Sequence, residues 1–184
     1  LSEEDWRWVV DVNLWGVIHG IRTFVPMFLE QGEGHVVNTS SMVGVGSFGG
    51  LGPYSVTKHG VVALSESLDL ELRAMGAPVG VSVLCPFFVR TRIGESERNR
   101  PAAAGSTDRG PASGVKAMLD SGMPPEEVAD LVTRAVVANE FWIFTHPETL
   151  QAVELRMRSV LEQRHPVTYE FSAAASGSSE APDS

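Results

Sequence analysis

His35-Val36-Val37-Asn38-Thr39-Ser40-Ser41, followed after a glycine-rich stretch by Tyr54-Ser55-Val56-Thr57-Lys58, is the part of the chain whose reading decides the fold. The first run is short, apolar and β-branched, which reads as a buried strand ending in two serines. From Tyr54 onward Val61, Leu64, Leu68, Leu72 and Met75 recur at steps of three and four residues, one face of a helix that Gly76 is placed to end. Val79-Gly80-Val81-Ser82-Val83-Leu84-Cys85 is the next strand. Strand, helix and strand in that order imply a right-handed crossover and a parallel pair.

Toward the N terminus, Ser2 and Asp5 read as a helix cap with an acidic first turn. Val10, Leu14, Val17, Ile21, Phe24 and Phe28 then form one buried face, until Gly32 and Gly34 break the helix. Downstream, Pro86 to Gly122 is rich in Arg, Gly, Ser, Pro and Ala and lacks apolar periodicity, so it is expected to be largely irregular. Pro125-Glu126-Glu127 opens another helix through Val136, Phe141 to Thr145 is a third strand, and a last helix runs from Pro147 to Glu162. Residues 172–184 are small and polar and are expected to form a disordered tail. The expected fold class is α/β, with about three parallel strands and flanking helices in one domain over residues 1–171.

Composition narrows the function classes. A chain of 184 residues, 43% apolar, holds one ordinary core. A formal net charge of -9 argues against a nucleic-acid surface, which needs clustered Lys and Arg. Gly20, Arg22 and Pro26 interrupt the longest apolar candidate well short of the roughly 20 residues a spanning helix needs, so no transmembrane segment is expected. Cys85, the single cysteine, cannot form an internal disulfide and reads as inert packing at the end of a buried strand. Leu1 begins directly in an acidic, helix-like segment, and a cytoplasmic protein is expected. His19, His35, His59, His146 and His165 show no paired ligand spacing, so no metal site is expected.

The chemistry concentrates where the first strand runs into the next helix. Four residues separate Tyr54 from Lys58, which on a helix stacks phenol and ammonium about one turn apart. A free phenol has a pKa of about 10, and a nearby cation favours phenolate and lowers that value. Tyr54 could then exchange protons near neutral pH. Ser41 ends the strand, where its hydroxyl could donate to a substrate oxygen as negative charge builds there. Taken alone, Tyr54 and Lys58 would more often be a surface pair, and it is Ser41 that reverses this reading.

On these residues the chain resembles the short-chain dehydrogenase/reductase family. The family pattern is a Ser, a Tyr thirteen residues later and a Lys four beyond that, the register of Ser41, Tyr54 and Lys58, which also selects Ser41 over Ser40. Asp11-Val12-Asn13-Leu14-Trp15-Gly16 resembles the segment that supplies a catalytic asparagine, here Asn13. The resemblance implies Tyr54 as acid/base, Ser41 as the group that polarises the carbonyl, and Lys58 as the group that lowers the tyrosine pKa and binds the nicotinamide ribose. It implies Asn13 as the holder of a relay water. Cys85-Pro86-Phe87-Phe88-Val89-Arg90-Thr91 resembles the family's Pro-Gly motif, so Pro86, Val89 and Thr91 join Tyr54 and Lys58 as expected cofactor contacts, with Phe87 where the family usually has glycine.

The resemblance also implies a partial Rossmann-like sheet, NAD or NADP as cofactor, a small secondary alcohol or ketone as substrate and a homo-oligomer built on the helices at Ser2–Leu29 and Tyr54–Met75. The family's opening strand, its glycine-rich phosphate turn and the residue that chooses NAD or NADP have no counterpart in the sequence. A truncated catalytic half is therefore expected, with the strand at His35 to Thr39 open along one edge. Gly44-Val45-Gly46-Ser47-Phe48-Gly49 matches the dinucleotide fingerprint, but Gly50, Leu51, Gly52 and Pro53 stand between its glycines and the next helix, so a loop beside the substrate is the preferred reading. Two other functions remain open: a non-catalytic interaction module that binds a partner through the sheet edge or helix pair, and, ranked last, a serine hydrolase using Ser41, which lacks a G-x-S-x-G elbow.

Overall fold

The computed structural model describes residues 1–100 and 113–169. The tail expected at 172–184 and the middle of the stretch expected to be irregular, residues 101–112, lie outside the described residues. Three strands, β1 (Gly34–Thr39), β2 (Val79–Cys85) and β3 (Trp142–Phe144), form one parallel sheet in the order β1-β2-β3. Gly34 to Thr39 align with Val79 to Leu84, and Val83 to Cys85 with Trp142 to Phe144. The third strand is shorter than the sequence suggested, although the Phe141 carbonyl still accepts the Val83 amide at 2.7 Å.

Among the described residues six α-helices flank this sheet: α1 (Glu3–Val10), α2 (Gly16–Gln31), α3 (Gly52–Ala74), α4 (Ser113–Asp120), α5 (Pro125–Ala138) and α6 (Glu148–Leu161). Alternation along β2 divides the core. Val79, Val81, Val83 and Cys85 pack on one side with Val25, Val62, Leu68 and Leu72, whereas Leu84 packs on the other with Ala135 and Ile143. β2 is thus covered on both faces, as a parallel strand requires.

The first helix is not continuous. Ser2 caps α1 in a reciprocal box with Asp5, but Asp11–Trp15 forms a π-helical turn before α2 begins. Phe24, placed by periodicity on the buried face, is 52% exposed, and Val25 takes the core position. The cause lies in the sheet. Among the described residues β1 pairs with β2 alone, and beside its other edge lies a groove of about 430 Å³ lined by Val17, Ile21, Phe24, Phe28, Val36 and Val37. Met75 likewise proves exposed, because α3 ends at Ala74 before Gly76 turns the chain at φ 65°. No helix among the described residues is long and apolar enough to cross a membrane.

The stretch after β2 is more ordered than its composition suggests. Arg92–Asn99 forms a kinked 3-10 segment, and α4 follows the undescribed residues. Val89 makes a parallel bridge to Met123, with the Arg90 amide donating to the Met123 carbonyl and the Met123 amide to the Phe88 carbonyl, both at 3.0 Å. Long-range backbone pairing overrides the weak local pattern here.

Candidate active site

The ends of the strands gather the expected residues. Beyond β1 the ladder continues, with the Ser40 amide donating to the Leu84 carbonyl at 2.7 Å and the Met42 amide to the Pro86 carbonyl at 2.9 Å. This sets Ser41 beside the turn after β2. Ser41 is buried, its Oγ accepts the Val43 amide at 3.2 Å, and its hydroxyl lies near enough to the Tyr54 phenol to hold that phenol's pKa down. Ser41 and Tyr54 therefore share one side of the sheet.

Tyr54 stands in the first turn of α3, and the Lys58 ammonium lies 5.7 Å from the centre of its ring. Lys58 Nζ donates to the Thr39 carbonyl at 3.0 Å. Burial raises the Tyr54 phenol above its ordinary value, and the neighbouring Ser41 hydroxyl opposes that rise. The ammonium sits over the ring and turns to the Thr39 carbonyl. Burial in turn lowers Lys58, with Cys85 opposing it, while the Cys85 thiol is pushed up to about 12. Cys85 is thus a protonated packing residue at neutral pH.

Asn13 lies on the π-helical turn, an irregularity that occurs frequently at functional sites. Its Nδ2 points to Thr57 Oγ1 at 3.5 Å, a long contact, and Thr57 in turn donates to the Tyr54 carbonyl at 2.9 Å. Thr57 and Thr39 were missed by reasoning from the sequence, and Ser40 was passed over in favour of Ser41. Ser40 Oγ donates to the Lys58 carbonyl at 2.8 Å, tying α3 to the end of β1. The only signal for these residues was their adjacency to Ser41 and Lys58.

After β2, the bridge to Met123 uses the carbonyl of Phe88 and the amide of Arg90, so the N–H and C=O of Val89 itself project to the opposite side. That leaves a donor and an acceptor side by side, a pairing that suits a carboxamide. Pro86 spends its carbonyl on Met42, and Thr91 is exposed, its Oγ1 accepting the Ile93 amide at 3.4 Å. The Phe87 amide donates to Thr145 Oγ1 at 3.1 Å, and its ring packs against Phe88 and edge-on to His146, at 4.6 and 5.4 Å between centres.

The glycine-rich loop uses its own amides, with those of Gly44 and Gly46 donating to the Ser41 and Met42 carbonyls at 2.9 and 3.0 Å. A Cβ at Gly44 would meet Ser40 Oγ and come within 2.7 Å of the Lys58 carbonyl oxygen. Among the described residues no three His, Cys, Asp or Glu side chains form a group that could hold a metal.

A parallel α/β sheet with a serine, a tyrosine and a lysine converging at its strand ends is the arrangement that the resemblance implied. The family model for short chain dehydrogenases matches residues 1–102, and the chain belongs to that family, with its Rossmann-like fold. A solved short chain dehydrogenase/reductase from Burkholderia phymatum, in complex with NAD, is 39% identical and superposes with a TM-score of 0.85 over 93% of this chain and 64% of that one. C alpha-dehydrogenase of Sphingobium sp. is 31% identical over 89% of this chain and 55% of its own length. The 1-deoxy-11-beta-hydroxypentalenate dehydrogenase of Streptomyces avermitilis is 35% identical over 76% of this chain and 46% of its own length. The chain spans about half the length of these curated relatives.

Proposed function

We propose that residues 1–171 are the catalytic portion of an NAD(P)-dependent oxidoreductase that interconverts a small secondary alcohol and a ketone. The observation that carries this reading is the nearness of Ser41 to the Tyr54 phenol at the strand ends, with Lys58 one helical turn away. It is supported by the relative from Burkholderia phymatum, solved with NAD, and by a 26% identical structure from Agrobacterium tumefaciens with bound NADP. A bound nicotinamide supplies the hydride. Lys58, Tyr54 and the outward N–H and C=O of Val89 would hold it, with Pro86 and Thr91 shaping the turn.

In the reductive direction the Tyr54 phenol gives its proton to the carbonyl oxygen while Ser41 donates a hydrogen bond to the same atom. A phenol raised by burial is protonated at neutral pH and suited to act as the acid. Asn13, linked to α3 through Thr57, holds the water that returns the proton. Phe87 and Phe88 give the substrate an apolar wall with few polar anchors. A cytoplasmic setting and a homo-oligomeric full-length form, built on α1–α2 and α3, belong to the same proposal.

The test is Tyr54→Phe in the full-length protein, which should lower turnover of a ketone panel by about a thousandfold with the circular dichroism unchanged. Turnover that survives within about tenfold of the parent defeats the reading. The open edge of β1 supports a second reading, a non-catalytic module that binds another chain there. Light scattering of the isolated chain with candidate partners tests it, and a stable lone monomer counts against it.

A further inference from the structure

An ion pair far along the chain from the strand ends connects the turn after β2 to the first helix. Asp5 and Arg100 form a salt bridge whose side chains are each only 7% exposed, although 95 residues separate them in sequence. The two carboxylate oxygens of Asp5 are divided between tasks: Oδ2 accepts the Ser2 amide at 2.7 Å in the helix cap, and Oδ1 accepts the guanidinium. The guanidinium also lies over the Trp8 ring, 5.3 Å from its centre. A guanidinium paired with a carboxylate and lying over an indole ring is held in position as well as in charge.

The helix to which Arg100 is tied borders the site. Trp6 of α1 lies 3.5 Å from where a Cβ of Gly52 would stand, so α1 packs on the turn of α3 that carries Tyr54. At its C-terminal end α1 runs into the π-helical turn with Asn13. The segment from Pro86 to Arg100 is held at its near end by the Pro86 carbonyl on the Met42 amide, the Phe87 amide on Thr145 Oγ1 and the Val89 bridge to Met123, and at its far end by Arg100 on α1.

We propose that Arg100 is a positioning residue, whose buried pair with Asp5 and stacking on Trp8 hold the far end of the segment Pro86–Arg100 against α1, beside the substrate wall of Phe87 and Phe88. The proposal rests on the catalytic reading above. It assigns Arg100 no contact with reacting atoms. Loss of the pair leaves Ser41, Tyr54, Lys58 and the links of Phe87 in place and frees the far end of the segment beside the wall, so substrate affinity falls while the chemical step stays.

The test has an arm that is independent of activity. In the 184-residue chain, Arg100→Gln and Asp5→Asn should each speed hydrogen exchange of the amides of Arg92–Asn99 by about tenfold and leave those of β2 unchanged. The double variant should be no faster than either single one, and Arg100→Lys should restore part of the protection. Unchanged exchange in Arg100→Gln, or additive effects in the double variant, overturns the latch. If β2 loosens together with the segment in both Arg100→Gln and Arg100→Lys, the pair is a global structural element and the proposal fails. In the full-length protein, Arg100→Gln should raise the KM for a ketone about tenfold with kcat within about twofold of the parent. An unchanged KM with the segment open removes the positioning role. A parent that turns over no ketone removes the catalytic reading and the positioning role with it, whereas the exchange arm still shows whether the pair holds the segment.

Discussion

Residues 34–74 and residues 86–123 both border the site, but they are held in different ways. In the first, backbone groups make or receive nearly every important link: Ser40 to Leu84, Met42 to Pro86, the Ser40 hydroxyl to the Lys58 carbonyl, and Lys58 to the Thr39 carbonyl. In the second, beyond Pro86, the links to the rest of the fold run through side chains, the Phe87 amide to the Thr145 hydroxyl and Arg100 to Asp5, while the Val89 bridge closes on Met123 within the region itself. Groups that must meet within hydrogen-bond distance sit where the backbone is over-determined. The apolar wall sits where side chains make the outward links and the backbone is less fixed.

The largest expected effect is at Gly44, where the rigid region approaches itself most closely. In Gly44→Ala the methyl would press on the Lys58 carbonyl oxygen and on Ser40 Oγ, both buried behind Ser41. A loss of about 3 kcal/mol in urea unfolding is expected. A loss under about 0.5 kcal/mol would show that this region yields as easily as the other.

A smaller effect is expected at Gly122, where a Cβ would come within 2.7 Å of the Phe88 carbonyl oxygen. Because the backbone there is less fixed it can shift, and Gly122→Ala should cost only about 1 kcal/mol. The cost should appear as faster exchange at Phe88 to Arg90 while β1 and β2 keep their protection. Equal costs at Gly44 and Gly122 would erase the contrast.

The smallest effect is a pH dependence on the far side of the sheet. His35 Nε2 donates to Ser82 Oγ at 2.7 Å, and the Ser82 hydroxyl donates to the Glu140 carbonyl at 2.6 Å, which ties β1 and β2 to the turn before β3. Burial lowers the His35 pKa from its ordinary 6.5. The unfolded chain therefore takes up this proton at a higher pH than the folded one, and stability present above that ordinary value is lost as pH falls through it. Urea midpoints should drop from about pH 7.5 to about pH 5.5, and less steeply in His35→Gln. His59 and His146 are lowered by burial as well, so some slope should remain in that variant. An identical slope in parent and variant would mean that His35 is not part of it.

The parallel sheet and the helices at α3, α5 and α6 were legible because their apolar periods are long and their glycine and proline boundaries unambiguous. Ser41, Tyr54 and Lys58 were legible through one fixed register. Phe24 was misplaced because periodicity reports which residues share a helix face, whereas the position of the sheet edge decides whether that face is covered. The π-helical turn at Asn13 was not legible, since the apolar residues across it, Val10, Leu14 and Val17, keep the three- and four-residue steps of an unbroken helix.

The order of apolar and turn residues alone determined the α/β layout, the strand that ends at Ser41 and the helix that carries Tyr54 and Lys58. Local spacing is enough for these, because each is set within a few turns of chain. Only the tertiary structure decided that Lys58 turns to the Thr39 carbonyl, that Tyr54 is raised by burial and that Arg100 reaches back to Asp5. Those outcomes depend on which groups lose water together and which find partners across the fold, and neither is encoded in the distance between two residues along the chain.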